Sequence, residues 1–221
     1  MISSKFSMSA IYDKIGLVYD AIDNGEYEKA IRVCERSEMR TSPIAQALLA
    51  YSYAATKKLQ LSLDTCRVVM RAKPMDEGTH NALALTLKML RKEDEMAVFY
   101  ESLLVVHPDN KAIMESLFST YTLLGESKKM QLTAQKLYKK VGSHKYVFWT
   151  VSSMLQQGSD LPAMMLTVAE KMLQKVIFDE QASVQPGAEE VELYVEVLCR
   201  QKKVQEAHDG LCSLLARPAG T

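Results

Sequence analysis

Histidine and cysteine are two side-chain types that can bind a metal ion and carry acid–base or nucleophilic chemistry. There are four of each, at Cys34, Cys66, Cys199, Cys212, His80, His107, His144 and His208. No two cysteines form the Cys-x-x-Cys pair typical of zinc sites, and the histidines are spread over separate segments. Each cysteine lies in an amphipathic helical pattern, where a free thiol packs as a small hydrophobic side chain. We therefore predict no metal site and no catalytic residue.

A second kind of chemistry, the binding of phosphate-bearing cofactors, needs a glycine-rich loop whose backbone N–H groups surround the phosphate. The nine glycines are isolated from one another, so that the sequence contains neither a Gly-x-Gly element nor a Walker P-loop. The sequence also predicts no strand on which such a loop could be mounted. We therefore expect no cofactor, no small-molecule substrate and no enzymatic activity in this chain.

Paired basic residues recur along the chain and could make weak contacts with phosphate groups. They are Lys57, Lys58, Arg91, Lys92, Lys128, Lys129, Lys202 and Lys203. If the segments that carry them stack on one another, the pairs would align as a basic edge. Lysine and arginine are also favoured at helix C-termini by the helix dipole and the last free carbonyl groups, and nearby acidic residues dilute the charge. Both interpretations stay open.

The overall composition is that of a folded protein without a strong charge bias. Of 221 residues, 48% are hydrophobic, and 27 basic residues balance 27 acidic ones, which argues against a strongly basic nucleic-acid-binding domain. The first 14 residues lack the apolar core of a signal peptide, and no run of about 18 apolar residues could span a bilayer. Free cysteines suit a reducing compartment. We expect a cytoplasmic protein that does not contact membranes.

The spacing of prolines shows an internal repeat that sets the fold. Pro74 and Pro108 lie 34 residues apart, and Pro43 lies 31 residues before Pro74. Each follows an apolar segment and opens the next one, so we expect it in the first turn of a helix. A second break recurs between the prolines, at 24–26, 58–60, 92–94 and 125–127. A period of about 34 residues built from two helices is typical of tetratricopeptide repeats.

Apolar residues at steps of three and four predict a helix on each side of these breaks. The expected helix pairs are 11–23 with 27–39, 43–57 with 60–72, 76–91 with 94–106, 110–124 with 127–141, 146–157 with 161–178, and 189–200 with 205–216. Asp76 and either Asp109 or Asn110 are expected as N-caps. The residues expected at the close crossing within successive pairs are Ala30, Leu63, Ala97 and Met130.

We predict an all-α fold, a tetratricopeptide-like right-handed α-α superhelix, that is, a solenoid of about six helical hairpins. Residues 1–10 are expected to form an N-terminal extension and residues 11–141 four regular pairs. Two less regular pairs follow over 142–216, with a linker loop at 179–187. Residues 217–221 form a tail without a capping helix, which indicates a truncated array.

Several stretches of the sequence, taken in order, resemble one known family. They are Leu17–Gly25 followed by Lys29-Ala-Ile, Gly125–Gln131, Leu137–Lys139, Tyr146–Met154, Ala169–Met172 and Glu190–Tyr194. Together they resemble the non-catalytic auxiliary subunits of the N-terminal acetyltransferase B (NatB) complex, over nearly the whole chain. The stretch Tyr146–Met154 holds the single tryptophan and is similar to that family's aromatic fifth repeat.

Members of that family are several-fold longer than this chain and wrap around a small catalytic subunit. That subunit acetylates the α-amine of nascent chains that begin Met-Asp, Met-Glu, Met-Asn or Met-Gln. The resemblance therefore implies a non-catalytic scaffold that binds the catalytic subunit, shapes its substrate preference and helps to bring it to the ribosome. The basic edge would then contact ribosomal RNA.

By analogy with tetratricopeptide proteins, a partner would bind an inner face formed by the first helices of the pairs. The repeat phase assigns to this face Tyr12, Ile15, Tyr19, Leu48, Ser52, Thr86, Met89, Glu115, Ser119 and Thr122. These residues are mostly small or apolar, which favours a protein partner. The alternative is a generic tetratricopeptide adaptor, for example for the acidic C-terminus of a chaperone. That clamp needs Lys and Asn where this sequence has Ile15 and Tyr19.

Two further features have a packing and a binding interpretation. The 13 methionines are expected mainly to fill gaps between helices, and a Met-rich binding groove is the alternative. Trp149, with Tyr146 and Phe148, is expected mainly in the core, and a partner-binding hot spot is the alternative.

Overall fold

The computed structural model describes the backbone of residues 2–178 and 187–215, and the side chains of residues 11–178 and 187–212. Within these ranges the chain forms twelve α-helices and no strand. They are α1 (Ile2–Asp23), α2 (Tyr27–Cys34), α3 (Pro43–Ala55), α4 (Leu59–Arg71), α5 (Glu77–Met89), α6 (Glu93–Val106), α7 (Lys111–Leu124), α8 (Ser127–Val141), α9 (Lys145–Leu155), α10 (Ala163–Ile177), α11 (Ala188–Arg200) and α12 (Val204–Leu215).

The helices pack in consecutive pairs, and the chain divides into two compact units. Unit 1, Met1–Pro108, contains α1 to α6, and unit 2, Asp109–Thr221, contains α7 to α12. In unit 1, α3 is the central helix, because it packs against α1, α2, α4 and α5. In unit 2, α9 packs against α8, α10 and α11. The predicted all-α fold of stacked tetratricopeptide-like helix pairs is confirmed.

The turn inside most pairs has one residue in the left-handed helical region. The residues at this position are Gly25, Lys57, Arg91, Gly125 and Lys202, with φ between 54° and 73°. At each turn the next residue donates its N–H to a carbonyl five residues earlier, as Lys58 does to Tyr53 O at 2.8 Å. This Schellman geometry satisfies the last carbonyl groups of the first helix and reverses the chain. The predicted breaks at 58–60 and 92–94 lie one residue too late, because lysine and arginine occupy a position where glycine is expected.

The helix starts follow from short polar side chains rather than from proline alone. Ser42, Asp76 and Asn110 each accept a hydrogen bond from the backbone N–H three residues on. Asn110, and not Asp109, is therefore the N-cap of α7. Of the three repeat prolines, Pro43 alone lies in the first turn of a helix. The expectation is wrong for Pro74 and Pro108, since α5 and α7 begin three residues after them, directly behind the capping side chain.

In each pair that has a left-handed turn residue, the residue at the close crossing of the two helices lies at a fixed distance along the chain from that turn residue. The residue five positions after that turn is buried in each pair that has one: Ala30, Ser62, Met96, Met130 and Ala207. Ser62 Oγ donates to Ala50 O at 2.7 Å, so its hydroxyl is satisfied at the crossing. The expected Leu63 and Ala97 are therefore one residue out of register, again because the predicted turn lies one residue late.

Other predicted boundaries differ locally. From α3 onward the helix ends lie within two residues of the predicted ones. Residues 2–10, expected as part of an extension, instead belong to α1, since no glycine or proline precedes Gly16 to interrupt the helix. The helix predicted over 27–39 ends at Cys34, because Arg36 is extended before a 3₁₀ turn at Ser37–Met39. The division between compact units falls at 108, within the predicted set of four regular pairs. Residues 179–186 of the predicted linker, and the tail 217–221, lie outside the described residues.

Candidate protein-binding faces

The expected inner face of unit 1 is exposed at three aromatic and apolar side chains. Tyr12 and Tyr19 lie seven residues apart on α1, and therefore on one side of it, with 67% and 41% of their surface exposed. Met89, at the end of α5, is 48% exposed. Partial burial and the negative charge of Asp76 raise the pKa of Tyr19 above its usual value. Exposed tyrosines on one helix face give a surface suited to contact with another protein.

The other four predicted inner-face residues of unit 1 are buried. They are Ile15, Leu48, Ser52 and Thr86. Leu48 and Ser52 lie on the central helix α3, which neighbouring helices cover, and repeat phase alone does not show this. The hydroxyls of Ser52 and Thr86 donate to carbonyls four residues earlier, at 2.8 and 2.7 Å, so neither needs a partner. These four side chains pack beneath the exposed residues of the face and are not available for direct contact with a partner.

In unit 2 the predicted residues Glu115, Ser119 and Thr122 lie along α7. Ser119 and Thr122 are exposed, and Glu115 is half-buried. The hydroxyls of Ser119 and Thr122 each donate to a carbonyl four residues earlier in α7. Glu115 instead reaches the next pair, where its Oε1 accepts hydrogen bonds from Tyr146 Oη and Lys145 Nζ, both at 2.8 Å.

Around Glu115 the structure assembles an aromatic and ionic cluster that the sequence patterns do not join. Trp149 stacks on Phe118 with ring centroids 4.3 Å apart, and Tyr146 meets Trp149 edge to face at 5.4 Å. Lys145 Nζ lies 4.7 Å from the centre of the Trp149 ring, within cation–π distance. Tyr146 is fully buried, whereas Trp149 is half-buried. The expected core role therefore describes Tyr146 well, while Trp149 also reaches the surface.

The electrostatics of this cluster hold Tyr146 as a hydrogen-bond donor and Glu115 as a carboxylate. Burial, followed by the hydrogen bond to Glu115, raises the pKa of Tyr146 to about 12. Burial alone would raise the pKa of Glu115. The hydrogen bonds from Lys145 and Tyr146, and the nearby positive charge, outweigh it and hold the pKa below its usual value. The cluster is thus a fixed donor–acceptor network, without the perturbed acid–base pair of a proton-transfer site.

The predicted basic edge is part exposed and part paired. Lys57, Arg91 and Lys202 take the left-handed turn position in their pairs and are exposed. Lys58 pairs with Glu28 at 3.0 Å. Lys92 is also exposed, at the start of α6. In the second and third pairs the charges therefore lie at matching turns.

In unit 2 one of the predicted basic pairs lies just after the turn rather than at it. Lys128 and Lys129 lie inside the first turn of α8, because Gly125 occupies the turn position of that pair. Lys129 Nζ lies 5.3 Å from the centre of the Tyr121 ring. Both remain near the turn but are not equivalent to the basic pairs of unit 1.

Lys203 belongs to an internal network rather than to a free surface. Its Nζ lies 2.9 Å from both carboxylate oxygens of Glu170, a residue that is only 6% exposed. Gln201 and Gln174 also donate to this carboxylate. The hydrogen bond that Lys203 donates to Glu170, together with the negative charges of Glu170 and Glu206, raises the pKa of Lys203 despite its desolvation. A buried carboxylate with three donors joins α10 to the start of α12.

An apolar groove on the second helices of unit 1 is not predicted by the repeat pattern. It lies between α4 and α6, is open to solvent with a volume of about 460 Å³, and has Met70, Val98 and Phe99 among its lining residues. Val98 and Val105 on α6 are 64% and 82% exposed. Their seven-residue spacing is a sequence signal for an exposed apolar side of α6, of which Val98 forms the part that lines the groove.

The histidines and cysteines occupy separate environments. His80 is buried, with Nε2 2.8 Å from Pro74 O and its ring edge to face with Phe99 and Tyr100. Among the described residues no group of three or more potential ligands could hold a metal ion. The expected burial of the thiols as small side chains holds for Cys34 and Cys66. His107 lies at the C-terminal end of α6 and His144 at the N-terminal end of α9.

The same expectation is wrong for Cys199 and Cys212, which are exposed. Cys212 lies one helical turn from His208, with Sγ 3.8 Å from Nε2. Both cysteines occupy the solvent side of their helices, a difference that the helical pattern alone does not resolve. No helix in the described part of the chain is long and apolar enough to cross a membrane.

Comparison with known families identifies this kind of repeat array. The model of the family described as "Psidin, N-terminal TPR repeats region" matches residues 14–219, which is most of the chain. The chain belongs to this family. The Psidin match begins within α1 and includes all later helices, so helices of both units fall inside it.

Two individual relatives of this Psidin-family chain are both named as auxiliary subunits of the NatB complex. It is 28% identical over 200 residues to the human protein named "N-alpha-acetyltransferase 25, NatB auxiliary subunit", over 87% of this chain and 20% of that protein. It is also 28% identical over 228 residues to the "N-terminal acetyltransferase B complex auxiliary subunit NAA25" of Arabidopsis thaliana, over 92% of this chain and 21% of that protein. The chain therefore spans about a fifth of the length of the curated relatives it matches.

Among solved structures, the Psidin-family fold is similar to a tetratricopeptide repeat protein from Parabacteroides merdae. The TM-score is 0.53 at 15% sequence identity, over 96% of this chain and 82% of the other. At this identity the similarity shows the tetratricopeptide fold alone.

Proposed function

We propose that this chain is a scaffold segment of a NatB-type N-terminal acetyltransferase complex and binds the catalytic subunit without carrying out acetyl transfer itself. The observation that carries the proposal is the match to NatB auxiliary subunits over 87–92% of the chain. Stacked helix pairs with exposed tyrosine, methionine and valine suit such a role, because they present apolar faces to a protein partner. The proposed location is the cytoplasm, where nascent chains emerge.

In unit 1 the contact would use the exposed part of the inner face. Tyr12 and Tyr19 are the strongest candidates, since tyrosine combines a large apolar ring with a hydroxyl and is enriched among residues that dominate binding energy. Met89 adds an adaptable apolar side chain. In unit 2, the predicted residues Glu115, Ser119 and Thr122 would make polar contacts of their own with the partner.

The test is co-expression of the chain with the catalytic NatB subunit of the same organism, followed by affinity capture. We expect co-purification, and an affinity reduced about tenfold or more in Tyr12→Ala/Tyr19→Ala, as for anchor residues in other interfaces. Leu61→Ala is the matched control, because Leu61 is 53% exposed on the second helix of a pair. Absence of co-purification, or capture of a chaperone through the same face, would favour the adaptor function instead.

The exposed basic turns would give a second, weaker contact, with ribosomal RNA. Lys57 and Arg91 support this, because each places an exposed charged side chain in a left-handed conformation that is easier for glycine. Glycine occupies the same position after α1 and α7. Lys58, Lys203 and Lys129 would contribute less, since each is engaged with a carboxylate or a ring.

Ribosome co-sedimentation of Lys57→Gly/Arg91→Gly/Lys202→Gly tests this contact without disturbing the turns. We expect weaker binding at low salt and a shallower salt dependence, by about 0.7–0.9 in log–log slope for each phosphate group that the variant no longer neutralises. An unchanged binding curve between about 50 and about 200 mM salt would remove the ribosome from the proposal and leave the catalytic-subunit contact standing.

A further inference from the structure

The groove between α4 and α6 is an apolar channel with a charged group at each end. Its floor contains Met70 and Phe99, and Val98 stands beside them, mostly exposed. At one end Arg67 forms two hydrogen bonds with Glu95, at 2.6 and 2.9 Å, and these hold the two helices together. At the other end Lys73 Nζ approaches Ser102 O at 3.4 Å. The apolar surface between the two ends is open.

The charges that remain are of opposite sign at the two ends. Arg71 and Lys73 line the groove beyond Met70, and neither has a carboxylate within ion-pair distance among the described residues. Asp94 lines the opposite end and likewise has no cationic partner in the described ranges. Arg67 and Glu95 neutralise one another. A ligand that matches the groove would therefore be apolar in the middle, acidic towards Lys73 and basic towards Asp94.

Lys73 is held in this position by an unusual backbone conformation. Its φ is +48°, in the left-handed region, and its N–H donates to Met70 O at 3.0 Å at the end of α4. A residue other than glycine is disfavoured there. The conformation fixes the Lys73 backbone at the end of the groove, directly after the last turn of the helix that forms one wall.

We propose that this groove binds a short segment of another protein in which a bulky apolar side chain lies between a basic and an acidic residue. Arg67 to Lys73 covers six residues of helix rise, about 9 Å, which corresponds to about three residues of extended peptide. The apolar side chain contacts Met70, Val98 and Phe99, and the acidic one pairs with Lys73 and Arg71. The basic residue pairs with Asp94. None of these groove residues belongs to the faces proposed above for the catalytic subunit and the ribosome.

Fluorescence polarisation with three labelled heptapeptides tests the proposal on the full chain. Their central residues are Arg-Leu-Glu, Arg-Gly-Glu and Arg-Leu-Arg, each between Ser-Gly and Gly-Ser. We expect Arg-Leu-Glu to bind with a Kd on the order of 100 μM. The other two peptides should bind at least about tenfold more weakly, because one lacks the apolar group and the other the carboxylate.

Two variants connect the binding to the groove. Val98→Asp places a charge on the apolar wall, and Lys73→Gly removes the ammonium group while suiting the left-handed backbone. Each should weaken Arg-Leu-Glu binding by about tenfold. Leu132→Asp is the matched control, because it places the same charge at an apolar position that is 59% exposed on α8 and lies outside the groove. It should bind like the unaltered chain.

Three results would overturn the proposal. The first is equal binding of Arg-Leu-Glu and Arg-Gly-Glu, and the second is binding that neither groove variant alters although both are folded by circular dichroism. The third is binding of an RNA oligonucleotide that Lys73→Gly abolishes and Val98→Asp leaves intact. That result would show that Arg71 and Lys73 bind phosphate groups and that the apolar wall of the groove has no role in binding.

Discussion

Replacing Tyr146 by Phe should destabilise unit 2 through one hydrogen bond. Tyr146 is fully buried, and its hydroxyl donates to Glu115 at 2.8 Å. Hydrogen bonds to charged groups contribute about 1.5–3 kcal/mol. Glu115 keeps Lys145 as a second donor in the variant, so its carboxylate is not left unpaired. We therefore expect the free energy of unfolding to fall by about 1.5–2 kcal/mol at pH 7.

The same substitution should alter the pH dependence in a defined direction. The folded-state pKa of Glu115 is lowered, so its contribution is complete above the unfolded-state pKa of about 4.3 and disappears as pH falls through the lower folded value. The difference between Tyr146→Phe and the unaltered chain should accordingly shrink as the pH falls through the folded-state pKa of Glu115. At the alkaline side the pKa of Tyr146 is raised to about 12, so the bond should persist through about pH 10.

Urea unfolding followed by the fluorescence of Trp149 measures both effects, because this single tryptophan stacks in the same cluster. Tyr138→Phe on α8 is the control, since the Tyr138 hydroxyl makes no hydrogen bond to another described residue, and its effect should stay within about 0.5 kcal/mol. An unchanged urea midpoint of Tyr146→Phe at pH 7 would refute the stabilising role of this hydrogen bond. So would a difference between Tyr146→Phe and the unaltered chain that does not decrease between pH 7 and the lowest pH at which both proteins still fold.

Three further predictions concern other parts of the chain. Glu170→Ala should lower the free energy of unfolding in urea by about 1–3 kcal/mol, because Gln174 and Gln201 lose the buried carboxylate that accepts their hydrogen bonds, and an unchanged urea midpoint would contradict this. Lys57→Gly should raise the free energy of unfolding by about 0.5 kcal/mol, and Gly25→Ala should lower it by about 1 kcal/mol. If calorimetry showed that both substitutions stabilise the chain, or that both destabilise it, the left-handed turn would be contradicted. Two thiols, Cys199 and Cys212, should react at once with Ellman's reagent at pH 8, while the two buried thiols, whose pKa burial raises to about 12, should react only after unfolding; four equally fast thiols would count against this.

The repeat is predictable from the sequence because local signals repeat with it. Prolines and polar caps mark the helix starts, and apolar periodicity marks each helix, so most helix ends can be placed closely. The turns are misplaced where Lys57 and Arg91 stand in for glycine, since a charged residue gives no sign of a left-handed backbone. This one-residue error carries through to the residues expected at the close crossing.

The faces are harder to predict, because exposure depends on which helices become neighbours. Repeat phase treats α1, α3 and α5 as equivalent, but α3 packs against both of the others, so Leu48 and Ser52 are buried while Tyr12 is exposed. The pairing of Glu115 with Tyr146 joins residues 31 positions apart. No local sequence pattern predicts this hydrogen bond, because it forms only when one helix pair packs on the next.

The left-handed turn position has a consequence for how such repeat proteins diversify. Its backbone geometry is the same whether glycine or a basic residue is present, and the basic side chains found there are exposed. Exchange of glycine for a basic residue there changes the surface charge at a small cost in folding free energy, about 0.5 kcal/mol. Substitutions at this position in successive hairpins can therefore change the isoelectric point of related chains. They can add or remove an affinity for anionic assemblies while the helices stay in place.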